Sequence, residues 1–416
     1  MENNNLMGNK KNKNIVGVIA EYNPFHNGHK YLIEEAKKKA NAEFAVSVMS
    51  GNFTQRGETS IVDKFEKAKM AVNNGVDLVI ELPTVYSVSS AENFAEGGVR
   101  ILENLGIITH IAFGIEEESL TELNSIAEIL ENEPEEFKII LQEELKIGSS
   151  FPTARRNAIV KYTGKEEYGE IIRKPNNILA IEYLKALIKM KSKIIPIGIK
   201  RKNVDYNDEN IVENFASSSK IRELVKNYYE NDIEKCVPKT SFEILKENIE
   251  NGDIVLDLNE FSDMILYKLR TMRNEDIKNI PDVNEGLENV IKEASNTTNN
   301  LEDLIEKCKS KRYTRTRIQR ILVCALLGIT KEIQETSKKE KPYTRILAVS
   351  ENGKKLLPSL KNTENLIISL KKFEEENTNE NLKRMLEIDK TSTAIYSIKQ
   401  KNNTFSNKDY TNKLFN

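Results

Sequence analysis

Two of the three histidines in the chain, His26 and His29, stand three residues apart in the run VGVIAEYNPFHNGH, which begins at Val16. The β-branched, apolar start of this run predicts a buried strand, the Asn-Pro pair ends the strand, and the segment from Gly28 onward has helical spacing of apolar residues. The two imidazoles are therefore expected to open a helix. A helix N-terminus favours anions, and a glycine there lets a phosphate approach the backbone closely. These residues predict phosphate binding.

The same two histidines also suit a packed pair or a metal site, because their spacing places both on one face of a helix. A zinc site needs about four ligands. The remaining histidine is His110, and Cys236, Cys308 and Cys324 are scattered singly through the distal half. We therefore favour phosphate binding, predict no metal held by the protein itself, and expect His110 to be a packed or surface residue.

Composition bounds the class of protein. The chain has 416 residues, 39% of them hydrophobic, and a net charge of −2, which favours more than one domain and requires any nucleic-acid surface to be local. No apolar run approaches the ~20 residues that span a bilayer, and the polar start lacks a signal-peptide core. Three unpaired-looking cysteines suit the reducing cytoplasm. The polar ends, 1–14 and 401–416, are expected to be mobile tails.

Strand and helix patterns alternate through the first half of the chain. Apolar runs predict strands at 15–20, 44–49, 76–82, 110–113 and 193–199, and amphipathic runs predict helices at 62–72, 91–105, 120–132 and 178–189. This alternation predicts an α/β fold, a Rossmann-like parallel sheet with helices on both faces, over 15–230. Ligands of such sheets bind beyond the carboxyl ends of the strands.

Charged helical patterns dominate after about residue 230, at 258–269, 283–294, 317–327 and 366–373, and predict a mainly α-helical C-terminal domain over 231–400. Within it, residues 309–320 carry six cationic side chains and no acidic one. A solvated helix start would explain this run, but arginine density favours contact with RNA phosphates. The predicted RNA-binding residues are Lys311, Arg312, Arg315, Arg317 and Arg320.

The longer motifs carry a family resemblance. The histidines and Gly28 resemble the HxGH signature of nucleotidyltransferases, and the string EYNPFHNGH followed by MSGNFTQRGE from Met49 resembles the bacterial tRNA(Met) cytidine acetate ligase family. The resemblance implies a nucleotidyltransferase fold and an enzyme that uses ATP, with Mg²⁺, and acetate to acetylate the wobble cytidine of elongator tRNA(Met) through an acetyl-adenylate. No obligate protein partner is implied.

The resemblance also implies site residues. Ser217-Ser-Ser-Lys-Ile-Arg222 alone favours an ordinary helix cap, but beside HxGH it resembles the second phosphate clamp of the superfamily. His26, His29, Lys220 and Arg222 are then the expected catalytic residues, and Arg56 is a plausible pocket residue. The expected ATP-contacting residues are Val16, Gly17, Val18, Ile19, Ala20, Glu21, Tyr22, Asn23, Pro24, Phe25, His26, Asn27, Gly28, His29, Gly114, Asn176 or Asn177, Arg201, Ser218 and Ser219.

Two other functions remain open on the residues alone. A small-metabolite adenylyltransferase of the same superfamily would share the first domain but gives no reason for a basic helical domain. An RNA-binding protein that merely holds ATP leaves the paired phosphate motifs unexplained. Formation of AMP that depends on acetate and is stimulated by tRNA would discriminate among the three.

Overall fold

The computed structural model describes residues 13–117, 119–201, 214–310, 312–402 and 405–412. Within these residues, a mixed sheet of seven strands has the order β5-β4-β1-β2-β3-β6-β7. The first five strands are parallel, and β6 lies antiparallel to β3. The strands are β1 (Asn14–Ala20), β2 (Ala42–Ser50), β3 (Leu78–Leu82), β4 (His110–Ile115), β5 (Ile195–Lys200), β6 (Thr344–Val349) and β7 (Leu366–Ile367).

Helices cover both faces of the sheet and make up most of the C-terminal half. In the described residues these are α1 (Asn27–Ala40), α2 (Lys64–Val72), α3 (Thr84–Ser87), α4 (Ala91–Leu105), α5 (Thr121–Asn132), α6 (Glu135–Lys146), α7 (Phe151–Thr163), α8 (Glu166–Ile171), α9 (Pro175–Met190), α10 (Ser218–Lys226), α11 (Glu230–Cys236), α12 (Lys239–Asn251), α13 (Ser262–Thr271), α14 (Asn274–Lys278), α15 (Leu287–Thr297), α16 (Leu301–Cys308), α17 (Arg315–Leu327), α18 (Lys331–Lys339), α19 (Leu370–Glu376), α20 (Glu380–Ser397) and α21 (Lys408–Thr411). Short 3₁₀ helices lie at Leu258–Phe261 and Gly353–Leu360.

The alternation of side chains along a strand explains why the sheet is covered on both faces. In β2, Phe44, Val46 and Val48 belong to one apolar core, which includes residues of α4, α5 and α9. Ala45 and Met49 belong to a second core, with residues of α1, α2 and α10. The α/β fold and the five predicted strands are confirmed, with observed ends that differ by a few residues.

The C-terminal half is mainly helical, as predicted, but it also supplies β6 and β7 to the sheet. The prediction of a helix over 366–373 was wrong at its start, because Leu366–Ile367 pairs with β6 and α19 begins only at Leu370. The sheet therefore includes strands from both sides of residue 230. The division of the chain into domains at that residue stays a prediction.

Residues 405–412 differ from the expected tail, because α21 is anchored in the protein. The Asp409 carboxylate lies 2.7 Å from the Lys64 ammonium and 2.8 Å from the Arg345 guanidinium, and all three side chains are almost fully buried. Burial opposes ionisation, but the two cations lower the pKa of Asp409 to about 2. Glu81 at the end of β3 completes this buried charge cluster, at 2.7 Å from Lys64 and 2.9 Å from Arg345.

Candidate active site

A cavity of about 400 Å³, the first cavity, opens at the carboxyl ends of β1, β4 and β5. The chain runs from β1 to β2 and β3 on one side and places β4 and β5 on the other, so the strand order reverses beside β1. A parallel sheet binds its ligands at such a reversal. Residues in the first turns of α1, α4, α9, α10 and α17 line the same cavity. The fold thus brings five helix N-termini to one space.

His26 and His29 lie at the N-terminus of α1, and their rings are stacked with centroids 3.8 Å apart. The Nδ1 atom of His26 accepts from the Gly28 backbone N–H at 3.0 Å, and Nδ1 of His29 accepts from the His26 backbone N–H at 3.2 Å. Each neutral ring must then carry its proton on Nε2. The Nε2–H of His26 donates to the Ser218 hydroxyl at 3.1 Å.

Burial keeps both rings neutral. It lowers the pKa of His26 to about 3, helped by the Arg201 charge. Burial also lowers the pKa of His29 well below its usual range, with smaller contributions from His26 and Arg201. The histidines therefore offer N–H donors without adding positive charge.

Gly28 is required by close packing around His26. A Cβ at position 28 would lie 2.8 Å from Cε1 of the His26 ring and 3.0 Å from its Nδ1, so a side chain there would displace the imidazole. The glycine of the motif therefore positions the first histidine as well as opening the helix to a ligand.

Positive charge dominates the walls of the first cavity. Arg56, Lys200, Arg201 and Arg320 line it, whereas Glu21 is the one carboxylate among the described lining residues. Burial raises the pKa of Glu21, although its carboxylate accepts from the Gln55 backbone N–H at 2.8 Å. Guanidinium and ammonium groups are the side chains that best complement phosphate. This wall suits a polyanionic ligand.

The second expected phosphate clamp lies partly in the first cavity. Ser217 caps α10 by accepting from the Lys220 backbone N–H at 3.1 Å, and Ser217 and Ser218 line the cavity. Ser219, Lys220 and Arg222 are not among its lining residues. The Lys220 ammonium lies 3.1 Å from Glu223.

Arg222 pairs within the protein. It donates to the Glu58 carboxylate at 2.7 Å, to the Asn23 carbonyl at 3.1 Å and more distantly to the Ser219 hydroxyl. The roles expected for Ser219, Lys220 and Arg222 in phosphate binding stay predictions.

The two candidate asparagines have different surroundings. Asn176 lines the first cavity, and its side-chain oxygen accepts from Arg201 at 2.7 Å. Asn177 is fully buried, accepting from the Glu116 backbone N–H at 3.0 Å and donating to Glu117 and to a backbone carbonyl. The geometry therefore makes Asn176 the candidate ligand contact and gives Asn177 a structural role. Gly114 also lines the cavity.

The run 16–29 divides into lining and supporting residues. Asn23 is 2% exposed and ties the run to the next loop, donating to the Thr59 carbonyl at 2.9 Å and accepting from the Ile61 N–H at 2.8 Å. Asn27 donates to the carbonyls of Asn214 and Lys235, each at 2.9 Å. The lining residues are Val18, Ile19, Ala20, Glu21, Tyr22, His26, Gly28 and His29. The residues outside the lining are Val16, Gly17, Asn23, Pro24, Phe25 and Asn27.

The predicted RNA-binding run lies at the start of α17, and Lys311 falls outside the described residues. Its arginines have acidic or carbonyl partners brought from elsewhere in the chain. Arg312 pairs with Glu285 at 2.6 Å and Arg315 with Glu302, while Arg317 donates to the Asp282 carbonyl and Arg320 to the Asp282 carboxylate. Of these four, Arg320 also lines the first cavity. The basic helix and the first cavity are therefore contiguous.

The polar lining residues that the sequence did not predict include Lys200 and Thr316. Lys200 ends β5 immediately before Arg201, so the rule that ligands sit at carboxyl ends of strands could have identified it. Thr316 had no such signal, because only the tertiary contact of α17 with the loop at Gly57 brings it to the cavity.

No group of three or more His, Cys, Asp or Glu side chains in the described ranges is arranged to hold a metal ion. All three cysteines are buried and unpaired. Among the helices of these ranges, none is long and apolar enough to cross a membrane.

Comparisons with known proteins agree with this geometry. The family model for HIGH Nucleotidyl Transferase matches residues 13–411. The tRNA(Met) cytidine acetate ligase of Acetivibrio thermocellus is 44% identical over 400 residues, which cover 94% of this chain and 96% of that protein. The enzyme of the same name from Caldanaerobacter subterraneus subsp. tengcongensis is also 44% identical, over 95% of this chain and 98% of its own.

A solved structure gives the same result in three dimensions. The crystal structure of Thermotoga maritima TmcAL bound with alpha-thio ATP superposes with a TM-score of 0.91 at 31% identity, covering 97% of this chain and all of that one. The apo form of the same enzyme gives a TM-score of 0.93 at 32% identity. With its HxGH turn, its cationic cavity at the strand reversal and these full-length matches, the chain belongs to the HIGH nucleotidyl transferases and, within them, to the tRNA(Met) cytidine acetate ligase family.

Proposed function

We propose that this protein is an ATP-dependent ligase of the cytoplasm that acetylates the wobble cytidine of elongator tRNA(Met), using acetate and forming AMP and diphosphate. The observation that carries the proposal is the first cavity itself. Four cations and two neutral histidines surround a space lined by the first turns of five helices, one of which is the basic helix α17.

In the first step, a carboxylate oxygen of acetate attacks the α-phosphorus of ATP. The P–O bond to diphosphate breaks, leaving acetyl-adenylate. The Nε2–H groups of His26 and His29 hydrogen-bond the phosphates, and Arg201 and Lys200 balance their charge. Lys220 and Arg222 stabilise the departing diphosphate, where negative charge accumulates in the transition state. No protein nucleophile is needed, so the protein acts by positioning and by charge stabilisation.

In the second step, the exocyclic amine of the cytidine attacks the acetyl carbonyl. The new C–N bond forms, the C–O bond to AMP breaks, and the amine loses one proton. Base-modifying enzymes reach such a target by taking the base out of its stack. Arg312, Arg315, Arg317, Arg320 and Lys311 are proposed to contact the RNA, which places the tRNA beside the adenylate.

Mg²⁺ is proposed to accompany ATP. Because Glu21 is the one carboxylate among the described residues of the cavity wall, the ion would be held mainly by phosphate oxygens and water, with Glu21 as the available protein ligand. When bound, the ion would supply neutralisation of the triphosphate charge.

The test is product analysis. Purified protein is incubated with ATP, labelled acetate and tRNA(Met), and the RNA is digested to nucleosides for mass analysis. We expect N4-acetylcytidine at the wobble position, with AMP formed in equal amount and only when acetate is present. A tRNA with a different wobble base serves as the control. Adenylyl transfer to a small metabolite, with no labelled RNA, would instead support the small-metabolite adenylyltransferase.

A further inference from the structure

A second cavity, of about 200 Å³, adjoins the first on the other side of one backbone contact. It lies between the loop that contains Glu58 and Thr59, the segment 256–259, and helices α16 and α17. The proposed reaction uses two of its lining residues, Arg222 and Arg315, but assigns no ligand to the space itself. Its volume is below the ~300–1,000 Å³ typical of a complete small-molecule site, so it suits one part of a larger ligand.

Helix α17 and the loop 55–59 each contribute residues to both cavities. On α17, Thr316 and Arg320 line the first cavity, while Arg315 and Gln319 line the second. Both pairs have i,i+4 spacing, so they form two adjacent stripes along the helix. The loop 55–59 is divided in the same manner, because Gln55 and Arg56 line the first cavity and Glu58 and Thr59 line the second.

Gly57 forms the boundary between the cavities. Its φ is +71°, and a Cβ there would lie 2.4 Å from the Arg320 backbone nitrogen and 2.5 Å from the Gln319 carbonyl carbon. Only glycine allows the loop to touch α17 this closely. At this boundary, the contact between the backbone of Gly57 and the backbone of α17 separates the two cavities.

The second cavity contains polar groups without partners. Thr59 is 1% exposed, and its hydroxyl has no hydrogen-bond partner among the described residues. A buried hydroxyl left in this state is uncommon and indicates a missing partner. The Gln319 amide also makes no hydrogen bond in the described part of the chain. An amide supplies a donor and an acceptor side by side.

The remaining wall suits a planar, partly apolar ligand. The apolar surface comes from Leu256, Leu258, Leu301 and Ile305, and the polar groups are Asp257, Asn259, Arg315 and Arg222, which is paired with Glu58 at 2.7 Å. Apolar faces, an amide, a hydroxyl and an arginine are the groups that bind an unpaired base and its phosphate in RNA loops. The second cavity is not the acetate site, because acetate must reach the α-phosphorus of ATP in the first cavity.

We propose that the second cavity binds the base of the nucleotide next to the cytidine that is acetylated, through the Gln319 amide and the Thr59 hydroxyl. This inference rests on the proposed function. While the target cytidine enters the first cavity, its neighbour enters the second, and Gly57 lies between the two bases. The enzyme thereby reads the sequence context of its target.

The first test compares Gln319→Ala with Gln142→Ala, a matched change on exposed α6. Acetate-dependent exchange of pyrophosphate into ATP, measured without RNA, should stay within about twofold of wild type for both variants. The KM for tRNA in acetylation should rise at least about 5-fold for Gln319→Ala, the lower end of one two-bond amide–base contact, and stay unchanged for Gln142→Ala. An equal loss in the exchange reaction would overturn the proposal, because Gln319 would then act in adenylation.

The second test uses Thr59→Val, which removes the hydroxyl and keeps the shape. Because that hydroxyl is buried without a partner, its removal should leave the thermal midpoint unchanged or higher while it raises the KM for tRNA. A merely structural threonine would not combine these two effects. A lower midpoint with an unchanged KM would contradict the assignment.

The third test identifies the base. Anticodon stem-loops carrying one abasic site on either side of the target cytidine are acetylated by wild type and by Gln319→Ala. At one of these positions the abasic site should raise the wild-type KM but cause no further increase in the variant. If the abasic site and Gln319→Ala raise the KM independently at both positions, so that their fold-increases multiply, the proposal is overturned. If wild type produces no N4-acetylcytidine at all, the proposed function itself fails, and this inference fails with it.

Discussion

At the scale of single residues, the two histidines combine low basicity with a defined donor atom. Their Nδ1 atoms accept from backbone N–H groups, so that each Nε2–H is available to a ligand or to Ser218. An imidazolium would bind phosphate more strongly in the ground state, but at neutral pH these buried rings cannot be charged. The donors are therefore preorganised, and little reorganisation is needed during reaction.

His29→Ala should leave the fold intact and lower the rate of adenylate formation by about 10²- to 10³-fold, the range for removing one donor to developing charge. The measurement is acetate-dependent pyrophosphate exchange at saturating and subsaturating ATP. His110→Ala is the matched control, because His110 lies at the start of β4 outside the cavity lining. Equal exchange rates in wild type and His29→Ala would remove the central assignment.

The lowered pKa of His26 predicts a pH dependence of stability. Between its folded value of about 3 and the ordinary value of 6.5, the unfolded chain binds a proton that the folded protein does not. The free energy of unfolding should therefore decrease as the pH falls below 6.5, by at most about 1.4 kcal/mol per pH unit for this one proton. In urea titrations from pH 6.5 to 4.5, His26→Asn should show a shallower slope, since asparagine also caps helices but does not titrate. Parallel slopes would contradict this expectation.

Asn176 and Asn177 form a natural matched pair. Asn177→Ala should lower the free energy of unfolding by about 1–3 kcal/mol, because it leaves buried backbone and carboxylate groups unpaired. Asn176→Ala should change stability little but weaken ATP binding, because Asn176 lines the cavity and orients Arg201. Thermal unfolding and ATP titration on both variants separate the two roles. The reverse pattern would show that the ligand contact had been assigned to the wrong residue.

The sequence predicted the arginines of residues 309–320 as functional residues but did not predict the groups that pair with them. Residues 309–320 contain no acid, yet Glu285, Glu302 and Asp282 lie against their arginines in the fold. These partners are 13 to 38 positions away along the chain, so local composition could not reveal them. Exposed pairs contribute only about 0–1 kcal/mol, and RNA phosphates can therefore replace the carboxylates.

At the scale of elements, convergence of helix N-termini defines the site. The contact between His26 and Ser218 joins the starts of α1 and α10, although 192 positions separate the two residues. The sequence predicted the first start from the Asn-Pro break at the end of a strand, and the second from its serine caps. It could not show that the second start meets the first, because residues 202–213, which connect β5 toward α10, carry no pattern that fixes direction.

Ser218→Ala should lower the adenylation rate more than Ser219→Ala. Ser218 lines the first cavity and accepts from His26, whereas Ser219 lies outside the lining. Pyrophosphate exchange measured on the two single variants, with thermal midpoints alongside, tests this ranking. A larger decrease for Ser219→Ala would mean that the hydroxyl at position 219 approaches the phosphates when ATP binds.

Strand β6 was not predicted from the sequence, and its composition explains why. Its run TRILAV places Arg345 within a strand that is buried along its whole length, and a buried arginine is unexpected there. Only the tertiary structure supplies Glu81 and Asp409, which pair with it at 2.9 and 2.8 Å. The five parallel strands carry no such charge in their centres, and their β-branched runs were sufficient for prediction.

At the scale of the whole molecule, the two halves of the chain are joined at several places, and three of them bear on the site. β6 pairs with β3, the buried cluster joins Lys64 and Glu81 to Arg345 and Asp409, and α17 meets the loop at Gly57 beside the first cavity. A helical domain attached by a linker would leave RNA binding and adenylation independent. Here the predicted RNA-binding helix forms part of the nucleotide cavity, so RNA can be placed directly at the adenylate.

The half-buried arginines Arg315 and Arg317 of α17 should contribute to tRNA affinity without affecting ATP binding. Replacing Arg315 and Arg317 together with alanine should weaken tRNA binding and reduce its salt slope by about 1 for each RNA phosphate that is no longer neutralised. ATP affinity should barely change, because neither residue lines the first cavity. Glu302→Gln should act in the opposite direction, since it removes the nearer of the two carboxylate charges, Glu302 and Glu306, that pair with Arg315. The measurement is tRNA affinity across a salt series with ATP affinity alongside, and an unchanged slope in the double variant would move the RNA surface away from this helix.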